Sequence, residues 1–476
     1  MKPSAIIRSR LVVYGGINAI AALATFLTVP VLVRLLGIEN YGIWSLVEPV
    51  IFFGTALALL GSEHGAMKQI AYEGQEAGRV VGEIATTGMG VMLVSAVVVY
   101  AAARTIVGTG PALVIAALAI VEGLLALLMT AARAARATVP FAVGQIGRSL
   151  LFCMALSGAL LLGVRATWHV GDVLVLRLVL TVVILATLLA LMRPRPGLAP
   201  GRLGDAARYG SFILLTSFLT MGLEMTDRYF VGWLYGADAV GSYMVHVKLA
   251  SVVGQGIVVP FSLWFAPERL HRIGDADGGR QFFDRAALAL TAGCCLFAGA
   301  TFLSGPYLVA LMAPGVTFDG VTLMATLVAA SAIGLTYALN IGLLKPGYTH
   351  LNVLPILFGL AVGLPLSALL VGPLGPDGAA LGRLAGTLAF LFAVAWLSKR
   401  VHPLAFSYMA ILAMAVATVL LALGISRALP DVSLLGTAQR LAVFGVALAC
   451  AGSSVAFLRG RTIRLASTGE GLREET

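Results

Sequence analysis

The chain has 476 residues, 59% of them hydrophobic and 11% charged, with a mean hydropathy of +0.97. A soluble domain of this size has no interior large enough for that apolar surface, so soluble classes are excluded. The formal charge is +10, but the basic residues cluster between apolar runs, which makes the charge a topology signal and gives no nucleic-acid footprint.

The chain opens on "MKPSAIIRSR" and an apolar run containing "AALA", which mimics a signal peptide. The run continues to Leu36, long enough to span, so a retained first helix is the better reading. A hydrocarbon core roughly 30 Å thick needs about 20 apolar residues per helix, and backbone groups in lipid must bond within their own segment. On that criterion the fold class is an all-α polytopic membrane protein with about fourteen spans. Their limits are 11–34, 42–61, 84–103, 111–131, 140–163, 171–192, 209–233, 240–265, 286–312, 320–343, 350–371, 378–397, 404–427 and 436–458.

Alternate loops between these spans carry the basic residues. With the N-terminus inside, roughly 22 Lys and Arg fall on the cytoplasmic side against roughly 4 outside, namely Arg34, Arg104, Arg165 and Arg427. Both termini are then expected in the cytoplasm. Outer loops are short, leaving no room for an extracytoplasmic catalytic domain. The four cysteines, Cys153, Cys294, Cys295 and Cys450, lie in apolar spans without metal-ligand spacing and read as core residues. No catalytic or metal site is expected.

A phrase repeats. Gly37-Ile-Glu39-Asn-Tyr-Gly42-Ile-Trp44 aligns with Gly236-Ala-Asp238-Ala-Val-Gly241-Ser-Tyr243, both G-x-[acid]-x-x-G-x-[aromatic]. Each joins one span to the next on the outer side, and each follows a span bearing a Tyr-Gly pair, Tyr14-Gly15 and Tyr209-Gly210. The glycines permit a tight elbow, the acid can cap the following helix, and the aromatics suit the interface. Six spans separate the copies, so the halves keep one orientation, as in a parallel repeat around a pseudo-two-fold axis. The expected organisation is a six-helix bundle over 1–192, a cytoplasmic linker over 193–208, a second six-helix bundle over 209–398, two additional helices over 399–458 and a cytoplasmic tail over 459–476.

The stretches "YGGINAIAALATFLTVPVLVRLLGIENYGIWSL" and "MTDRYFVGWLYGADAVGSYMVHVKLASVVGQGIVVPFSLWFAPERL" resemble the polysaccharide transporter family of the multidrug/oligosaccharidyl-lipid/polysaccharide (MOP) superfamily. The resemblance implies a flippase for lipid-linked sugars, with two six-helix bundles and two C-terminal helices. Such proteins often end the second span in Asp-x-Gly, whereas this chain reads Gly61-Ser-Glu63-His64-Gly65.

Charges within spans carry the functional reading, because each costs on the order of 3 kcal/mol at the bilayer centre. Glu224 and Arg228 are spaced for an intrahelical pair, and Asp227 is open to a cation on another helix. Arg383 and Arg440 sit near outer span ends and are expected to snorkel. Arg148, Arg177 and Lys248 have no opposite charge within one turn. Glu48 and Lys248 occupy nearly equivalent positions in the two repeats and are expected at a shared cavity or in a plain salt bridge. A cationic path suits a polyprenyl pyrophosphate, whose anion must leave water.

The expected substrate-binding residues are therefore Arg148, Arg177, Lys248, Arg34 and Arg228. Those expected for ion coupling or gating are Glu48, Glu122, Glu224 and Asp227. Tyr337, Asn340 and Trp264 are weaker candidates for sugar contacts, and His246 for a proton site. Pro49 directly follows Glu48, placing a hinge beside that carboxylate. No G-x-x-x-x-G-K-[ST] loop occurs, so no nucleotide engine or other cofactor is expected, and an H+ or Na+ gradient is the open drive. The functional expectation is a non-enzymatic flippase carrying a polyprenyl-linked oligosaccharide by alternating access, beside polysaccharide synthesis or polymerase proteins. The alternative is a cation-coupled multidrug exporter, whose site would be acidic and aromatic.

Overall fold

The structure is a computed structural model that describes residues 3–163, 168–272, 279–344, 349–404 and 406–448. Arg165, Lys345, Cys450 and the tail lie outside the described residues. Among those described, every regular element is helical: α1 (Pro3–Leu59), α2 (Ser62–Ala71), α3 (Ala77–Thr87), α4 (Met89–Val107), α5 (Thr109–Ala134), α6 (Thr138–Leu161), α7 (Val170–Met192), α8 (Pro200–Met225), α9 (Asp227–Val253), α10 (Val259–Arg272), α11 (Arg280–Met312), α12 (Gly320–Leu339), α13 (Val353–Leu374), α14 (Pro376–Val401), α15 (Tyr408–Ala428) and α16 (Leu434–Leu448). Eleven helical segments are long and apolar enough to cross a membrane. Two of them fold back at a glycine and hold two passes each, and α16 completes fourteen.

The two folds fall at the repeated phrase. Gly37 breaks α1 with φ 76° and ψ 170°, and Gly236 breaks α9 with φ 82° and ψ 178°. That region of backbone space is essentially reserved for glycine, so both elbows depend on the missing Cβ. Neither Glu39 nor Asp238 makes a side-chain capping bond among the described residues. Instead Asn40 Nδ2 donates to Leu36 O at 3.2 Å across the first elbow.

The halves touch at both ends. At the end that carries the elbows, a Cβ on Gly42 would fall 1.8 Å from Ala237 O, and one on Gly241 would fall 2.1 Å from Ile38 O. At the other end, Gly61 packs on Gly210 and Gly65 on Ala206, which joins α2 to α8. The chain between the halves lies against α3: Arg195 N donates to Gly78 O at 2.9 Å and Ala199 N to Thr87 Oγ1 at 3.0 Å. Helix α8 already begins at Pro200, so more than half of the segment read as linker, residues 200–208, is helical. The expected third span also starts differently, with α3 ending at Thr87 and α4 beginning at Met89.

Close helix crossing elsewhere uses small residues at four-residue spacing. Gly359 and Gly363 of α13 meet Gly382 and Gly386 of α14, where backbones approach so closely that any Cβ would clash. This pair forms the most intimate helix hairpin of the second half.

Candidate functional site

A cavity with roughly 800 Å³ of unfilled space, its mouth included, lies between the two passes of α1, α6, α7 and α9. Thr25, Thr28, Tyr41, Trp44, Ser149 and Thr181 line it together with Glu48, Arg148, Arg177 and Lys248. The first half supplies every wall residue except Lys248, which reaches in from the second half. The sequence reading named the four charged residues. It missed Tyr41, Thr25, Thr28, Ser149 and Thr181, because a hydroxyl on an apolar helix carries no cost large enough to mark it.

None of the three cations is unpaired. Glu122, on α5, is almost fully buried and receives Arg148 Nη1 at 2.9 Å and Arg177 Nη2 at 2.6 Å, with Arg177 Nε at 3.0 Å. One carboxylate thus holds two guanidiniums, leaving a net positive charge on the group. Trp44 places its ring 5.6 Å from the Arg177 guanidinium and stacks on Phe152 at 6.0 Å, which fixes that side chain against the wall. Lys248 Nζ lies 2.9 and 3.2 Å from the two Glu48 oxygens, so the expected carboxylate–ammonium pair is a direct ion pair across the halves.

Proline organises the floor of this site. Pro49 has no N–H, so Ser45 O, four residues earlier, loses its helical partner. Arg228 Nη1 fills that vacancy at 2.9 Å, and Tyr229 Oη donates to Leu46 O at 2.8 Å. Arg228 also stands 3.9 Å from Glu48. The helix ends at Met225 and restarts at Asp227, so the expected Glu224–Arg228 intrahelical pair does not form. Arg228 is buried behind Glu48 and does not line the cavity.

Asp227 accepts from Tyr243 Oη at 2.5 Å and from Arg383 Nη1 at 3.3 Å, a second buried network inside the second half. Arg383 is therefore a buried partner of Asp227, and the expected snorkelling is corrected. Arg440 is corrected likewise: it is 2% exposed and donates to Leu429 O and Leu303 O. Both were misread because sequence depth alone does not show that a neighbouring helix covers a residue. Glu224 makes no hydrogen bond or ion pair among the described residues.

The remaining candidates lie elsewhere. Arg34 is exposed beside the first elbow, where Nη2 donates to Leu311 O at 2.7 Å, and it does not reach the cavity. Asn340 donates to Asn352 at 2.8 Å, while Trp264 and Tyr337 are half exposed away from these walls. His246 has both ring nitrogens engaged: one faces Ser242 O at 2.9 Å and Nε2 accepts Asp319 N–H at 2.9 Å. That arrangement holds the imidazole in one neutral tautomer.

A family model described as polysaccharide biosynthesis protein matches residues 10–265, a stretch that includes both elbows and every residue of this cavity. The chain belongs to that family. No curated protein matches it in sequence. Among solved structures, it resembles the lipid II flippase MurJ in an inward closed conformation, with a TM-score of 0.63 at 10% identity over 93% of this chain and 98% of that one. It also resembles the Vibrio cholerae MATE transporter VcmN, with a TM-score of 0.58 at 15% identity over 84% and 98% of the two chains. An outward-facing MATE transporter of the MOP superfamily gives a TM-score of 0.55 at 15% identity over 85% and 96%. At such identities the likeness is one of fold alone: this family member has the multi-pass, all-helical fold of those transporters.

Proposed function

We propose that the protein is a flippase that moves a polyprenyl-(pyro)phosphate-linked oligosaccharide from the cytoplasmic to the outer leaflet for cell-surface polysaccharide synthesis. The observation that carries this reading is the cavity in which Arg148, Arg177 and Lys248 meet only two carboxylates, Glu48 and Glu122. An incoming phosphate can replace a carboxylate as the acceptor, so each cation passes from one anion to another without being stranded in the membrane. The hydroxyl oxygens of Thr25, Thr28, Ser149 and Thr181 add neutral acceptors suited to sugar hydroxyls, since Thr25, Thr28 and Thr181 donate their own hydrogens to Ala21 O, Ala24 O and Arg177 O. The family membership and the fold shared with a lipid II flippase support the same cargo class.

The two glycine seams, one at each end of the contact between halves, support alternating access by rocking of one half against the other. Glu48 joins the halves through Lys248, so cargo that claims Lys248 weakens that tie. Glu224 supports an H+ or Na+ coupling role, because its charge is the one among the four candidate carboxylates not already met by a cation or hydrogen bond. On this reading the protein sits in a bacterial inner membrane, both termini in the cytoplasm, and serves synthesis or polymerase proteins on the outer face.

The test is depletion of the protein in its host, followed by measuring which leaflet holds the lipid-linked sugars with an impermeant sugar-modifying enzyme. Cytoplasmic accumulation relieved by the intact gene, but not by Lys248→Ala or Arg148→Ala, is expected. Unchanged lipid-linked sugars with altered resistance to cationic drugs would replace this reading with a multidrug exporter.

A further inference from the structure

Two arginines hold the same place in the two repeats. Arg177 is the eighth residue of α7 and Arg383 the eighth of α14. Each belongs to a network that includes the aromatic of the repeated phrase. Trp44 lies against the Arg177 guanidinium at 5.6 Å. Tyr243 Oη donates at 2.5 Å to Asp227, the carboxylate that holds Arg383.

The two are not held alike. Glu122 receives both Nε and Nη2 of Arg177, at 3.0 and 2.6 Å. Asp227 receives Nη1 of Arg383 at 3.3 Å, and the Arg383 Nε is buried without a hydrogen-bond partner among the described residues. The oxygen that Arg383 uses is shared, because the Tyr243 bond also ends on Oδ2. The other oxygen, Oδ1, accepts the N–H of Arg228 at 2.8 Å. A guanidinium that is 9% exposed therefore rests on one long bond to a crowded carboxylate.

A second carboxylate stands beside it. Glu224 lies on the last turn of α8, across the break at Thr226 from Asp227, and its own oxygens hold nothing among the described residues. Arg383 is the charge that acts on it most strongly, ahead of Asp227 and Arg228 from α9, and the Tyr337 phenol of α12 also feels it. Helix α13, which packs on both α8 and α14, carries no titratable side chain. A bare carboxylate at this depth costs on the order of 3 kcal/mol, which a proton or a cation offsets. A hard metal ion needs several oxygen ligands. The charged neighbours of Glu224 are two guanidiniums, which repel a metal, and one carboxylate whose oxygens are engaged. A proton needs a single lone pair.

We infer that Arg383 has two seats, Asp227 and Glu224, and that one proton on Glu224 chooses between them. With the proton bound, Glu224 is neutral and Arg383 rests on Asp227. With the proton released, the new carboxylate draws Arg383 over and fills its empty Nε. Glu224 is half-buried, so the proton exchanges with water on its exposed side. Asp227 keeps the Tyr243 hydroxyl and the Arg228 N–H in either state, so neither carboxylate is left bare. The consequence reaches the cargo cavity, because Arg228 also donates to Ser45 O at 2.9 Å and stands 3.9 Å from Glu48. This deepens the coupling role proposed for Glu224 and rests on that reading, with H+ as the ion.

The experiment follows the Arg383 Nε–H signal by heteronuclear magnetic resonance in the full chain, labelled on arginine and held in detergent. A pH series is run in sodium chloride and again in choline chloride, and the signal is assigned by its loss in Arg383→Lys. In the wild type it is expected to move between two positions with one midpoint, the same in both salts. Glu224→Gln is the isostere of the protonated acid and removes no hydrogen bond of the fold. It is expected to hold the signal at its low-pH position throughout. Asp227→Asn removes the competing seat and is expected to lower the midpoint by about 1–3 pH units. A wild-type signal that does not titrate, or one that titrates unchanged in Glu224→Gln, overturns the switch. A midpoint that sodium displaces and choline does not overturns the proton as the occupant. The two proposals fail separately, since this titration needs no cargo and the leaflet assay is blind to the ion.

Discussion

Gly42 and Gly241 face each other across the two halves, and each leaves room only for the other elbow's backbone. A Cβ on Gly42 would lie 1.8 Å from Ala237 O and 2.9 Å from Gly241 N, and one on Gly241 would lie 2.1 Å from Ile38 O. The contact is reciprocal because the residues are equivalent in the two repeats, so it sits on the pseudo-two-fold axis. Backbone cannot yield as a flexible side chain does, and a methyl there costs about 1–3 kcal/mol in this conformation.

That cost falls on the closed seam at the elbows alone, so Gly42→Ala is expected to shift the population toward opening at that end by about 5- to 150-fold. Spin labels at the exposed Glu39 and Asp238, on a background without native cysteines, read the separation directly. A longer distance in the variant is the expected outcome. An unchanged distribution would mean that the seam is not part of the opening motion.

The two ion pairs of the cavity differ in depth, and that difference predicts a ranking. The Glu122 side chain is 5% exposed and carries two guanidiniums, whereas Glu48 and Lys248 are 31% and 26% exposed. Removing one partner of a buried pair costs about 3–5 kcal/mol when the remaining charge is stranded. Arg148 is 42% exposed and turns to cavity water, which places Glu122→Gln toward the low end of that range. Glu48→Gln should cost less, since Lys248 is already open to the same water. Thermal unfolding in detergent checks the order, and a larger loss in Glu48→Gln would contradict it.

The charges show where sequence carries information in a membrane and where it does not. Arg148, Arg177, Glu48 and Lys248 stood out because each is costly in lipid, and the structure brings all four to one cavity. The elbows at Gly37 and Gly236 were legible because a repeated glycine pattern marks a repeated backbone need. The partners were not legible. Glu122 lies 26 residues from Arg148 and 55 from Arg177, and the pairing depends on how α5, α6 and α7 are rotated about their axes. Arg383 and Arg440 were misjudged for the same reason, since a depth argument assumes a lipid-facing surface. Helix rotation is set by packing on all sides, and a uniformly apolar helix leaves no stripe to read it from.

Outside the membrane, the start of α2 carries a pH prediction. Glu63 Oε2 is buried without a hydrogen-bond partner among the described residues, and burial raises its carboxyl pKa. His64, 3.5 Å away, is lowered by burial and then by the Arg133 charge. Glu63 therefore favours the fold when protonated: its contribution is full below the unfolded glutamate value of about 4.3 and is lost as pH rises through the raised value. His64 works in the other direction, contributing above about 6.5 and losing that as pH falls through its lowered value. Glu63→Gln removes only the first effect. Its melting temperature should match the wild type at low pH and exceed it increasingly as pH rises from about 4.3 toward neutrality. A difference constant with pH would rule out the buried carboxyl as the source.

Pro49 separates a structural role from a transport role, because its two effects have opposite signs. With alanine at this position, the new N–H bonds Ser45 O and completes the helix, which removes a penalty of up to about 3 kcal/mol for proline in a helix interior. The same bond competes with Arg228, whose Nη1 now holds Ser45 O at 2.9 Å. Arg228 is 3% exposed, and its Nε already lacks a partner, so it has little other recourse than Glu48 at 3.9 Å. Drawing Arg228 onto Glu48 loosens Lys248 from that carboxylate and stiffens the helix beside the cavity. On the proposed function, Pro49→Ala is therefore expected to lower the outward movement of lipid-linked sugar while leaving thermal stability unchanged or higher. The leaflet assay and a melting curve on the same preparation give both signs. A variant that transports normally would show that neither the bend nor the freed carbonyl matters to the cycle.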